Sequence, residues 1–181
     1  MLSQHSEEMI KLPTRVDNVN HNGVLFWKIN NYTELYNESL NQEEGQKCIE
    51  SDAFYTEDGY KMRVLLYPNG VYTSPGLTGD HMSLFIQILK HDNIETLDWP
   101  FNHNVSMAVM SQEDDYRNHT RALTKQNGRD AFKKPISGDN FPIGFHGFIY
   151  ASWLLEAPFM KDDSIIIKVV VVKPDPCVRK Q

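Results

Sequence analysis

Hydrophobic and polar positions alternate along this chain over short stretches, and few stretches repeat with a helical period. Asn104–Met110 places Val105, Met107 and Val109 on one side of an extended segment. Ser164–Val172 is a nearly unbroken β-branched run and carries the strongest strand signal. Gly23–Ile29, Lys47–Phe54, Tyr60–Tyr67 and His81–Lys90 read as further strand regions, and Phe145–Leu155 supplies another apolar segment. Phe85 is apolar between apolar neighbours, so part of its strand is expected to be buried on both faces. Pro68-Asn69-Gly70 stops one strand by fixed φ, turn propensity and tolerance of positive φ. Asn30–Thr33 reads as a turn, residues 34–44 as a short helical or irregular passage, and residues 71–80 and 112–128 as loops. Pro174 and Pro176 are expected to end ordered structure. Short strands at near-regular spacing with few helices predict an all-β, antiparallel β-sandwich rather than βαβ units.

The first twenty residues differ. Leu2, Met9 and Val16 are spaced by seven, and His5, Leu12 and Val19 form a second series offset by three. Met9, Leu12, Val16 and Val19 are therefore the expected trimerisation positions if this trace ends a coiled coil; a tail without regular structure is the other reading. Pro13 interrupts the trace, and proline inside a helix costs about 3 kcal/mol. The domain reading is 1–20 as tail or coiled-coil end, 21–174 as sandwich and 175–181 as C-terminal tail.

Composition narrows the functional classes. A chain of 181 residues with 40% hydrophobic content suits one domain with a sizeable core. Its formal charge of −6 argues against a general nucleic-acid binder, though not against a local basic patch. No run reaches the eighteen or so apolar residues that crossing a membrane requires. Residues 1–11 lack an apolar signal-peptide core. Two cysteines, Cys48 and Cys177, are too few for a disulfide framework or an all-cysteine metal site. A cytoplasmic protein is the expectation.

Catalytic patterns are missing from the sequence: no GxSxG, GxGxxG after a strand, GxxxxGK[ST], HExxH or CxxC. Seven histidines are scattered without metal-ligand spacing. Asp162-Asp163 precedes the last strand, and a self-capping turn is its expected role. Four N-x-[ST] triplets, at Asn31, Asn37, Asn104 and Asn118, are expected to be unmodified. The expectations are no enzyme activity, no metal and no cofactor.

Several blocks then carry a resemblance. In order they are Asn22–Ile29, Ala53–Thr56 with Gly59–Met62, His81–Phe85, Trp99–Phe101, Phe132–Pro135, and Phe159–Asp163 with Ile165. Over about residues 22–173 the chain resembles the C-terminal TRAF domain of the tumour-necrosis-factor-receptor-associated factors, within the meprin-and-TRAF-homology (MATH) class. The resemblance implies an eight-stranded antiparallel β-sandwich, non-enzymatic, that binds short extended peptides and trimerises through a preceding coiled coil. Implied partners are cytoplasmic tails of receptors of the tumour-necrosis-factor or Toll/interleukin type, or their adaptors, with no nucleic acid and no membrane insertion. Ubiquitin-ligase activity in the family belongs to a RING domain, whose cysteines this sequence lacks. An assembly domain with a degenerate groove and a substrate-recognition module of a ubiquitin ligase are the alternatives.

The resemblance also suggests a peptide site. Its sheet edge falls near Pro142, Ile143, Gly144 and Phe145, where Gly144 suits close approach and Phe145 a pocket wall. Leu65 stands where the family has a peptide-reading Arg, Tyr67 keeps the family's Tyr, and Val71 replaces its Asp. Leu65 offers none of the five donors of a guanidinium, which removes the usual means of reading an acidic peptide end there. Arg129-Asp130-Ala131 replaces three serines, so backbone N–H groups of Asp130 and Ala131 are expected to act instead. Leu123 and Phe132 match apolar positions near the peptide.

Overall fold

A computed structural model describes residues 19–41, 46–72, 79–124 and 130–176. Met9, Leu12 and Val16 of the heptad trace lie outside these residues, as do Cys177 and Arg129. The described residues form two antiparallel sheets. The first runs β1 (Val19–His21), β2 (Val24–Asn30), β10 (Ser164–Val172), β7 (Asn104–Val109), β8 (His119–Ala122). The second runs β3 (Ile49–Glu50), β5 (Lys61–Tyr67), β6 (His81–Ile88), β9 (Ile143–Tyr150), with β4 (Phe54–Tyr55) also on β5.

The expected sandwich is present, and alternation builds its core. Leu25, Trp27 and Ile29 of β2 face inward, as do Ile165, Ile167, Val169 and Val171 of β10. From the second sheet Met62, Val64, Leu66, Met82, Leu84, Ile86 and Ile88 face them. Each sheet hides one apolar face against the other, which is the dominant stabilising term.

Four local differences from the sequence reading have physical reasons. Val19, counted as the last trimerisation position, is not at the end of a helix: it pairs with Phe26 in β1, because the Asn22-Gly23 turn folds the chain back onto β2. The pairing of β1 brings Val19 and Asn20 into the first sheet. The Lys47–Phe54 region is split, since Ser51 uses both its N–H and its hydroxyl on Val64 between β3 and β4. Strand β8 falls in the expected 112–128 loop, because an edge strand with exposed Thr120, Arg121 and Ala122 has no apolar alternation to read.

Helix α1 (Tyr32–Ser39) begins inside the expected Asn30–Thr33 turn. Asp162 and Asp163 do form a turn, both with positive φ. Asp163 does not cap itself, however. Its carboxylate accepts from the Thr33 N–H at 3.0 Å and the Thr33 hydroxyl at 2.6 Å, in the first turn of α1.

Candidate functional site

Strand β9 ends the second sheet and, with eight residues, is the longest edge strand among the described residues. The other sheet ends are β1, β8 and β3, of three, four and two residues. An edge strand presents main-chain donors and acceptors to any chain laid beside it.

The outer face of this sheet gathers several of the expected residues. Leu65 of β5 lies opposite Phe85 of β6, and Phe85 opposite Gly144 of β9, so the three share one rung. Leu65 and Phe85 are only 4% and 7% exposed although they point away from the core. Tyr67 lies two rungs along on the same face, opposite Ser83. Its ring meets Phe85 edge-on at 5.8 Å, and Phe85 meets His146 edge-on at 5.1 Å. An aromatic row thus crosses β5, β6 and β9. Burial and a hydrogen bond with the Cys48 thiol push the Tyr67 hydroxyl up to about 12, so it stays protonated at neutral pH. Burial likewise pushes the Cys48 thiol up, the wrong direction for a nucleophile.

A polar row runs beside it. Arg63 Nη1 pairs with Glu50 at 2.8 Å, and its Nε donates to Gln87 at 2.8 Å. Gln87 donates onward to the Asn140 carbonyl at 2.7 Å, and Asn140 Nδ2 donates to the carbonyls of Ala131 and Lys133. This chain holds the Asp130–Lys133 turn against the start of β9. Ala131 and Phe132 are buried there, and Phe132 packs on Phe101 at 5.5 Å. Asp130 is exposed, and its carboxylate pairs with Lys133 at 2.6 Å. The Lys133 ammonium, through that hydrogen bond and its charge, holds the Asp130 carboxyl below the usual carboxylate range.

The remaining residues are less central. Ile143 and Phe145 are half-buried on β9 against the core. Leu123 follows β8, with its N–H on the Val105 carbonyl at 2.9 Å. Val71 lies beyond the Gly70 turn, off the Leu65–Phe85–Gly144 rung. The glycine's close approach is internal: a Cβ on Gly144 would lie 2.1 Å from the Leu84 carbonyl oxygen.

Sequence reading missed Phe85, His146, Asn140 and Arg121 as neighbours of this edge. Phe85 left a trace as the apolar residue out of alternation. Arg121 left none, because its guanidinium reaches Phe145 from the other sheet, 4.0 Å from the ring centre. No group of three or more metal-ligating side chains is found among the described residues. None of the described helices is long and apolar enough to cross a membrane.

Known proteins resemble this chain. The family model for the MATH domain matches residues 24–171. Human TNF receptor-associated factor 2 is 32% identical over 155 residues, covering 83% of this chain and 29% of that protein. Human TNF receptor-associated factor 5 is 28% identical over 169 residues, covering 92% and 29%. The solved structure of Notothenia coriiceps TRAF5 superimposes with a TM-score of 0.75 at 25% identity, covering 87% of this chain and 78% of that one. The chain therefore spans under a third of the length of the two human relatives.

Proposed function

The chain belongs to the MATH-domain family, and from that membership we propose that it is the interaction module of a signalling adaptor. It takes a short extended peptide along the free side of β9. One observation carries this reading: the longest edge strand lies beside an outer face that already buries Leu65 and Phe85. Strand addition supplies main-chain bonds, and the face beside it selects side chains. The relatives are named for association with TNF receptors. By that likeness the partner is the cytoplasmic tail of such a receptor or of its adaptor. The module performs no catalysis of its own and works in the cytoplasm.

Leu65, Tyr67, Phe85, Gly144 and His146 form the centre of the site, with Ile143 and Phe145 on the edge. Asp130, Ala131 and Phe132 close one end of it, and Leu123 and Val71 lie at its margins. Trimerisation through Met9, Leu12 and Val16 raises a weak single-site affinity through effective concentration.

A peptide array probed with the protein tests the reading. Enrichment of a short motif that Tyr67→Ala or His146→Ala weakens, with melting temperatures unchanged, supports it. Absence of any enriched motif, with the protein folded, overturns it and favours an assembly role. That second reading has one observation behind it: Leu65 offers no donor, and Arg63 on the same strand is already paired with Glu50.

A further inference from the structure

Where β8 and β9 come together, side chains join the two sheets. Arg121 leaves β8 and lays its guanidinium over the Phe145 ring at 4.0 Å. Its Nη1 donates to the Gly147 carbonyl at 2.6 Å. His119, two residues earlier, bonds the Phe148 carbonyl through Nε2 at 2.8 Å. Together they cover β9 at Gly147 and Phe148. Ile143, Gly144 and Phe145 pair with β6 on one side and have no strand on the other among the described residues.

Arg121 is also an exposed cation without an acidic partner among the described residues. None of the ion pairs among the described residues uses it. A guanidinium has five N–H donors, and the hydrogen bond found among the described residues is the one to Gly147. The ring beneath and the bond to Gly147 hold the group at the side of β9. Among the described residues near it in sequence, 116–124 carry Arg117 and Arg121 and no Asp or Glu, although Glu113, Asp114 and Asp115 precede them.

We propose that Arg121 binds the side-chain carboxylate of an Asp or Glu in a peptide lying against Ile143–Phe145. This rests on the edge-strand reading and adds the chemical class of the ligand. The charge that Leu65 does not supply on the outer face of the second sheet comes here from the first sheet, at the other side of β9. Because Arg121 and His119 occupy the Gly147 and Phe148 carbonyls, the strand addition is confined to the first half of β9. The acidic residue then lies near the end of the paired segment.

The test uses C-terminally amidated peptides selected on an array of random extended sequences, so that a terminal carboxylate cannot substitute for a side chain. Each selected peptide is remade with every Asp or Glu changed singly to Asn or Gln, and affinities are measured for wild type, Arg121→Gln and Arg121→Lys. The expected result is one acidic position whose amide version binds wild type about tenfold more weakly. Arg121→Gln should bind acid and amide versions alike, Arg121→Lys should restore part of the preference, and the wild-type preference should shrink with salt. A purely structural Arg121 would weaken acid and amide peptides equally. Peptides without such a position, or an acid preference that survives in Arg121→Gln, overturn the inference. The edge reading then stands, provided Tyr67→Ala still abolishes binding. If no peptide is selected, the edge reading fails and the inference falls with it.

Discussion

Gly144 has no room for a side chain. An added Cβ would stand 2.1 Å from the Leu84 carbonyl oxygen and 2.6 Å from the Phe85 Cα, both main-chain atoms. Gly144→Ala must push β9 away from β6, with an expected loss of about 1–3 kcal/mol in urea unfolding. It is a poor probe of binding for that reason, and Tyr67→Ala is the better one. Asp58 supplies a pH-dependent contribution. Burial opposes its charge, but the Thr56 hydroxyl at 2.7 Å and His103 at 2.8 Å outweigh that and hold its carboxyl below the usual range. A carboxyl lowered in the folded state stabilises the fold above its unfolded value of about 3.9. That contribution is lost as pH falls through the lower, folded value. Asp58→Asn should therefore be less stable than wild type at neutral pH, and the gap should close on acidification. Urea midpoints measured from neutral pH down to acid would check both ends.

Among the elements, α1 depends most on a distant residue. Asp163 bonds the Thr33 N–H and hydroxyl across 130 positions of sequence, and its own carbonyl accepts from the Tyr32 N–H at 3.0 Å. A first-turn N–H is one of the donors a helix cannot satisfy internally. The Thr33 hydroxyl and N–H bonds hold the Asp163 carboxyl below its usual range. Asp163→Ala should speed hydrogen exchange across Tyr32–Ser39 while leaving β6 and β10 protected. Equal loss of protection in all three would show that α1 is not a separately held unit. Strand β8 raises a different question, because its exposed residues do little for the core. Its contribution is to carry Arg121 and His119 to β9. Substituting Thr120, which is also exposed, should leave both stability and peptide selection near wild type in the same assays.

For the whole molecule, the proposed reading couples the open edge to the heptad trace. A shallow site on one domain binds weakly, and several copies on one oligomer bind a clustered target far more tightly. With Val19 already in β1, the expected trimerisation positions that remain are Met9, Leu12 and Val16. On the trimer reading the wild-type chain self-associates in sedimentation, and Leu12→Asp with Val16→Asp should make it a monomer while leaving the melting of the sandwich unchanged. A wild-type monomer at every concentration would remove the avidity argument. The sandwich itself was largely legible in the sequence. The β-branched run of β10, the alternation of Val105, Met107 and Val109, and the apolar neighbours of Phe85 each report burial at the residue that carries them. Alternation is a local record of which side of a strand faces water, so the fold class and most strands follow from it. Short polar strands such as β1 and β8 leave no such record. The tertiary structure alone decided which strand was left with a free side, how Asp163 caps α1, and that Arg121 crosses from one sheet to lie on Phe145 of the other. Those facts depend on how distant segments close against one another, and no single segment carries the energy of that closure.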